Sequence, residues 1–197
     1  MCIRDSFPSI AHLCGVEGFE SIQSILIEFA QGEKNNKDGI IVSNRGGWHS
    51  EVNYNNEPNL LYLTIVKNLN EYFSEPANGF NKDTKFEISS LWININSTGD
   101  YNLPHIHPNC DMSGVFWIST PEDSGQLVFE SPNAFAQTKQ ISKYSNEIKS
   151  RLGLYPAFDV DPQEGTIMFF PASLYHSVTV NKCKHSRISA GFNLNFM

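Results

Sequence analysis

The run from Arg187 to Phe196 alternates without a break. Its even positions, Ile188, Ala190, Phe192, Leu194 and Phe196, are apolar; its odd positions are Arg187, Ser189, Gly191, Asn193 and Asn195. Successive side chains of a strand point to opposite faces, so this run predicts a strand with one oily and one polar face. The oily face must be buried against another layer. The polar face either meets solvent or lines a pocket, and the alternation alone does not choose between them.

Shorter strand-like runs precede it over 85–96, 113–120, 126–130, 166–170 and 174–180, separated by turn formers at 99–100, 121–125 and 162–165. The first third has a different period. Ile22, Ile25, Leu26 and Phe29 recur at three and four, which predicts a helix over 19–30 with Gly32 just beyond. Leu61, Ile65, Leu69 and Tyr72 predict a second helix from about 57 to 73, stopped by Pro76. The intervening SNRGGWHSE (43–51) reads as a loop, and 131–161 as a longer, partly helical stretch. Many short strands after a helical preface imply a mainly β domain with helices packed outside a closed or sandwiched antiparallel sheet. The 197 residues suffice for one domain, with a helical preface at about 19–75 and a β core at about 84–197.

The net charge of -7 and fourteen scattered Lys and Arg argue against bulk nucleic-acid binding. Four widely spaced cysteines (Cys2, Cys14, Cys110 and Cys183) form no CxxC pair. They fit the reduced thiols of a cytoplasmic protein better than a zinc knuckle or a disulfide framework. No apolar run reaches the roughly 20 residues of a membrane span, and the start lacks the apolar core of a signal peptide. Residues 1–6 fit no pattern shared with the rest of the chain.

Chemistry concentrates in two segments. WININSTGDYNLPHIHPN places His105 and His107 two apart at a strand end, where both imidazoles project to one side and can share one metal. Imidazole suits Fe, Zn, Cu and Ni, so the pair does not name the ion. An isolated HxH is more often a surface coincidence than a site. PQEGTIMFFPASLYHSVTV carries His176 on a strand, where a lone histidine is usually structural. If NKCKHS (181–186) contains an even-length hairpin loop, antiparallel pairing puts His176, Arg187 and Ser189 on one face. A metal cage beside a pocket arginine suits a ligand with two carboxylate ends, one for the metal and one for the guanidinium fork. Trp48, His49, Trp92, Phe116 and Trp117 could wall such a pocket, although core packing explains each of them taken singly.

Taken in order, SNRGGWHS, LWININSTGDYNLPHIHPN, SGVFWISTP, GQLVFESP, EGTIMFFPASLYHSV and RISAGFN resemble the 2-oxoglutarate/Fe(II)-dependent oxygenases over roughly residues 40–197. The resemblance implies a double-stranded β-helix, a jelly-roll or cupin-like barrel with the metal at one end. It implies Fe(II) held by His105 and His176, and 2-oxoglutarate anchored through its distal carboxylate by Arg187, helped by Ser189. Asn94 or Asn96 would bond the near carboxylate. The implied activity is a dioxygenase that consumes O2, hydroxylates a small-molecule or peptide substrate and releases succinate and CO2. The chain departs from the family at the middle ligand, which is usually an Asp or Glu two residues after the first His. Here that position is His107, and the nearest carboxylate is Asp111. Spacing favours His107, and a third neutral imidazole leaves the Fe(II) more positive toward a dianionic co-substrate. Two alternatives stand beside this reading. One is a cupin-like three-His dioxygenase that does not use 2-oxoglutarate. The other is a non-catalytic jelly-roll binding protein with incidental histidines.

Overall fold

The computed structural model describes residues 9–56 and 58–197; the expectations for residues 1–6, for Cys2 and for position 57 lie outside them. Among the described residues, eleven strands and three α-helices run in the order β1 (His12–Gly15), α1 (Gln23–Asn36), β2 (Asn44–Arg45), β3 (Trp48–His49), α2 (Leu60–Ser74), β4 (Phe86–Asn96), β5 (Tyr101–His105), β6 (Met112–Ser119), β7 (Leu127–Glu130), α3 (Asn146–Arg151), β8 (Ala157–Val160), β9 (Thr166–Pro171), β10 (His176–Val178) and β11 (Arg187–Phe196). They form two antiparallel sheets. The larger has the order β1-β9-β6-β11-β4-β3, and the smaller β2-β5-β10-β7-β8.

The alternation of β11 is resolved in favour of a pocket. Ile188, Ala190, Phe192 and Leu194 are buried in the main core with Leu61, Ile65 and Leu69 of α2. The side chain of Asn59 caps α2 by accepting from the Tyr62 amide, so the helix begins at Leu60. On the other face of β11, Arg187, Ser189, Gly191 and Asn193 line an internal cavity. A register shift between Asn193 and Leu194 ends the pattern, and Phe196 beyond it is 38% exposed. A second, smaller core lies between the sheets around Trp117, Leu127, Phe129 and Phe170.

The hairpin expected between β10 and β11 does not form. β10 pairs with β5 and β7, whereas β11 pairs with β4 and β6. The connecting segment crosses from one sheet to the other. Asn181 pins that crossing by donating to Asn96 O (2.9 Å) and His185 O (3.0 Å). His176 and Arg187 therefore meet across the space between the sheets, not along one ladder. Three further differences are local. The 43–51 loop contains the two short strands β2 and β3, the 131–161 stretch ends in β8, and a short edge strand, β1, precedes the first helix. β1 escapes a pattern search because its His12 is satisfied inside an aromatic cluster, stacked on Phe169 at 4.8 Å.

Candidate metal centre

β5 ends on His105 and β10 begins on His176, and the ladder sets the two residues directly opposite one another. His107 follows β5 by two residues. Its amide donates to Ala172 O (2.9 Å), tying this extension to the turn that leads into β10. The ring nitrogens of the three histidines lie within 4.8 Å of one another, with Nε2 of His107 and Nε2 of His176 3.3 Å apart.

The free ring nitrogens are settled by hydrogen bonding. Nδ1 of His105 is 2.7 Å from Leu103 O and Nδ1 of His176 is 2.9 Å from Leu174 O. A carbonyl only accepts, so each Nδ1 carries the proton and each Nε2 keeps its lone pair, as an outer shell sets the tautomer of a metal-binding imidazole. Imidazole nitrogens about 2.1 Å from a common ion and at right angles to one another sit about 3 Å apart. The 3.3 Å separation fits that arrangement.

Burial holds all three rings neutral. Desolvation lowers His105, pushes His107 down to about 3 and pushes His176 down to about 4, with the neighbouring imidazoles adding to the last two. Neutral imidazole is the metal-binding form. In the metal-free protein these shifts make the fold acid-sensitive. Above the ordinary 6.5 both folded and unfolded chains carry neutral rings. As the pH falls below 6.5 the unfolded chain takes up protons that the folded chain refuses until near 4 and 3. Melting of the apo protein should shift to lower temperature between about pH 7 and pH 5, with a shallower dependence in His107→Gln. Equal slopes in the two proteins would contradict the shifts.

The larger sheet supplies the cavity floor in rows set by register. Arg187 lies opposite Asn96. In the next row His49, Asn94, Ser189 and Trp117 lie side by side on β3, β4, β11 and β6. Trp92 and Gly191 follow, and then Ser90, Asn193 and Ser113. Trp92 is near-parallel to both His107 (5.6 Å, 18°) and His49 (5.8 Å, 7°). It can lie there because residue 191 is glycine: a Cβ at 191 would sit 2.3 Å from Trp92 Cε2. Phe170 packs edge-on to His176 at 4.8 Å.

Arg187 is 4% exposed. Its Nη1 donates to Ser124 O (3.1 Å) and Gly125 O (3.3 Å), and its Nη2 to Asn96 Oδ1 (3.1 Å). Gly125, at φ 95°, permits this approach: a Cβ there would lie 3.2 Å from Nη1 and 2.4 Å from Thr179 O. The guanidinium has five N–H groups, so Nε–H and one Nη2–H remain. Nε is buried without a partner, and among the described residues Arg187 forms no ion pair. Burial lowers its pKa only to about 10, so it stays charged at neutral pH. A buried cation with no anion is costly, and two unused donors on one planar group match a carboxylate. The donor set therefore fits both groups that the resemblance implies: three neutral imidazoles for an ion such as Fe(II), and an unpaired guanidinium for a dicarboxylate.

Every residue expected at the site lines one cavity of about 350 Å3: His105, His107, His176, Arg187, Ser189, and both Asn94 and Asn96. Asn96 is committed to Arg187 and Asn181, while Asn94 forms no side-chain hydrogen bond among the described residues. Asp111 lies elsewhere. Its Oδ2 accepts from the Phe196 amide (2.8 Å) at the far end of β11. Asp111→Asn should leave iron content unchanged by metal analysis; loss of iron would make Asp111 a ligand. Of the five aromatic wall candidates, His49, Trp92 and Trp117 line the cavity, whereas Trp48 and Phe116 are packed in the main core. Ser90, Ser113 and Phe170 were not anticipated. Ser90 shares the parity of Asn94 and Asn96 along β4, which is the signal that could have found it.

Two facing antiparallel sheets enclose a three-imidazole cluster that could hold a metal ion, beside a buried cation. Comparison with known proteins agrees. The non-heme alpha-ketoglutarate-dependent epimerase SnoN from nogalamycin biosynthesis superposes with a TM-score of 0.68 at 11% identity, over 95% of this chain and 78% of that one. The viral collagen prolyl hydroxylase of Paramecium bursaria Chlorella virus-1 gives 0.58 at 14% identity, over 93% and 94%. HygX from Streptomyces hygroscopicus, with nickel and 2-oxoglutarate bound, gives 0.60 at 9%, over 95% and 83%. At these identities the likeness establishes the double-stranded β-helix and nothing finer. No curated protein sequence matches the chain. The family described as "Putative 2OG-Fe(II) oxygenase" matches residues 90–193, a little over half of the chain. The chain belongs to the 2-oxoglutarate/Fe(II) oxygenases, with Fe(II) as its metal and 2-oxoglutarate as its co-substrate.

Proposed function

We propose that His105, His107 and His176 hold the Fe(II), that Arg187 with Ser189 and Asn94 holds 2-oxoglutarate, and that the enzyme hydroxylates a small-molecule or peptide substrate. The whole chain acts as one oxygenase domain. The observation that carries this reading is the buried, unpaired Nε–H of Arg187 in the same cavity as three neutral imidazoles. A cupin-like three-His enzyme without 2-oxoglutarate has no use for that cation, and a non-catalytic binding protein has no use for the histidine cluster.

When bound, Fe(II) with 2-oxoglutarate supplies O2 activation, whose balance is substrate C–H plus O2 plus 2-oxoglutarate giving C–OH, succinate and CO2. The residues of the chain do the rest. The Leu103 and Leu174 carbonyls fix the His105 and His176 tautomers. Trp92 and Phe170 hold the His107 and His176 rings in place and keep water from their faces. The Arg187 guanidinium, held by the Ser124, Gly125 and Asn96 oxygens, orients the distal carboxylate. Ser189 helps Arg187 with the distal carboxylate, and Asn94, adjacent to Ser189 in register, bonds the carboxylate nearer the metal; neither side chain has another hydrogen-bond partner among the described residues.

No helix of the described residues is long and apolar enough to cross a membrane, and Cys14, Cys110 and Cys183 are free thiols. The free thiols support action in a reducing compartment such as the cytoplasm. The test is succinate release in air. The protein with Fe(II) and 2-oxoglutarate should form succinate, and chelating the iron should stop it. A hydroxylated product would be heavier than its substrate by one oxygen atom; a product of unchanged mass would point to another oxidative outcome. Absence of any iron-dependent succinate would refute the reading.

A further inference from the structure

Arg187 is the only side chain with a permanent charge among the described residues that line the cavity; no Asp, Glu or Lys reaches it. On the proposed reading that charge is taken by the co-substrate, so whatever enters beside it meets no charged partner. The floor continues past Gly191, away from Arg187, to the row of Ser90, Asn193 and Ser113. Ser113 is satisfied by donating to Phe192 O (3.2 Å). Ser90 and Asn193 are not. Neither side chain forms a hydrogen bond among the described residues, and Asn193 Oδ1 is buried without a partner. Unpaired buried polar atoms are rare in native folds, and in a pocket they mark what a ligand must supply.

The rim of the cavity is apolar. Val42, Val52 and Ile106 line the cavity yet are 57%, 48% and 40% exposed, which places them at its mouth. A volume of about 350 Å3 is near the low end for a ligand pocket, and the co-substrate takes part of it. Space remains for one end of a substrate and not for a whole drug-sized molecule.

We propose that the prime substrate inserts one uncharged group through the Val42, Val52 and Ile106 rim and pairs its polar tip, an amide or a hydroxyl, with the Asn193 carboxamide and Ser90. A carboxamide both donates and accepts, so it complements a group that does the same. A cationic tip meets the metal's charge with no carboxylate to offset it. An anionic tip finds no free guanidinium or ammonium beyond Arg187. Asn193 is thus a specificity residue, separate from the groups that hold iron and co-substrate. The inference rests on the proposed assignment of those groups.

The test uses the anaerobic Fe(II)·2-oxoglutarate complex and its visible charge-transfer band, titrated with N-methylacetamide, tert-butanol, acetate and methylammonium. Wild-type protein should show a saturable band shift with the two neutral probes, roughly three- to tenfold tighter than with either ion, as one net hydrogen bond allows. Asn193→Leu, close in volume, should keep the band and lose that preference; Ser90→Ala should lose part of it. Equal or tighter binding of an ion without bleaching of the band overturns the inference. So does an unchanged preference in Asn193→Leu, or no shift with either neutral probe. Failure of the band to form in wild-type protein would instead remove the underlying site assignment.

Discussion

Replacing His176 by alanine is expected to lower Fe(II) affinity on the order of a hundredfold or more and to abolish succinate formation. Loss of an outer-shell partner of a metal ligand already costs about 10–100-fold, and His176 is proposed as a ligand itself. Its position leaves little scope for a substitute. It is 5% exposed, stands opposite His105 in the ladder, and packs against Phe170. Removing it also opens a void in a packed interior, so His176→Gln, which keeps most of the volume, separates ligand loss from destabilisation. Anaerobic iron titration with metal analysis reads the effect. Full iron occupancy in both variants would show that the cluster is structural.

The second large effect falls on Arg187. Arg187→Ala should raise the concentration of 2-oxoglutarate needed for saturation roughly tenfold to a hundredfold, the worth of a bidentate charge-assisted pair of about 1.5–3 kcal/mol. Iron affinity in the absence of 2-oxoglutarate should be unchanged, because Arg187 makes no contact with the imidazoles. Arg187→Lys should recover only part of the loss, since an ammonium restores the charge but not the fork. The alanine variant also leaves the Ser124, Gly125 and Asn96 oxygens without their donor, so a lower melting temperature is expected alongside. Equal loss of iron and of 2-oxoglutarate would mean that Arg187 works only by holding the fold together.

Much of this site was legible in the sequence because two periodicities coincide. The parity of β11 sorted Arg187, Ser189, Gly191 and Asn193 from the core residues between them, and the spacing of His105 and His107 brought both rings into one cluster with His176. The route by which Arg187 reaches the site was not legible. A local hairpin was the simplest way to bring it to His176, yet β11 pairs with β4 and β6, distant in sequence, while β10 joins the other sheet. Pairing in a closed β-helix is set by long-range packing, which the local pattern of 174–187 does not carry. Two of the five aromatics, Trp48 and Phe116, take the core packing that explains each of them singly. Phe116 and Trp48 are as apolar as their neighbours Trp117 and Trp92, and only the strand face that each takes decides between core and cavity. The β5 strand was seen only at its end, since Asn102 and Pro104 blur any alternation along it.

The departure at the middle ligand is where sequence and structure meet most usefully. His107 sits in the cluster and Asp111 caps the end of β11, so the described residues bring three imidazoles and no carboxylate together. Such a centre carries one more positive charge than one with an aspartate, which favours the dianionic co-substrate.

The central claim is that one cavity holds Fe(II) on these imidazoles and 2-oxoglutarate on Arg187 at the same time. Anaerobic titration of the iron-loaded protein with 2-oxoglutarate tests it directly. A visible charge-transfer band that saturates at one equivalent in wild type, is absent in His176→Ala and needs far more 2-oxoglutarate in Arg187→Ala is the predicted result. A protein that binds iron but develops no band, or whose band is indifferent to both substitutions, would contradict it.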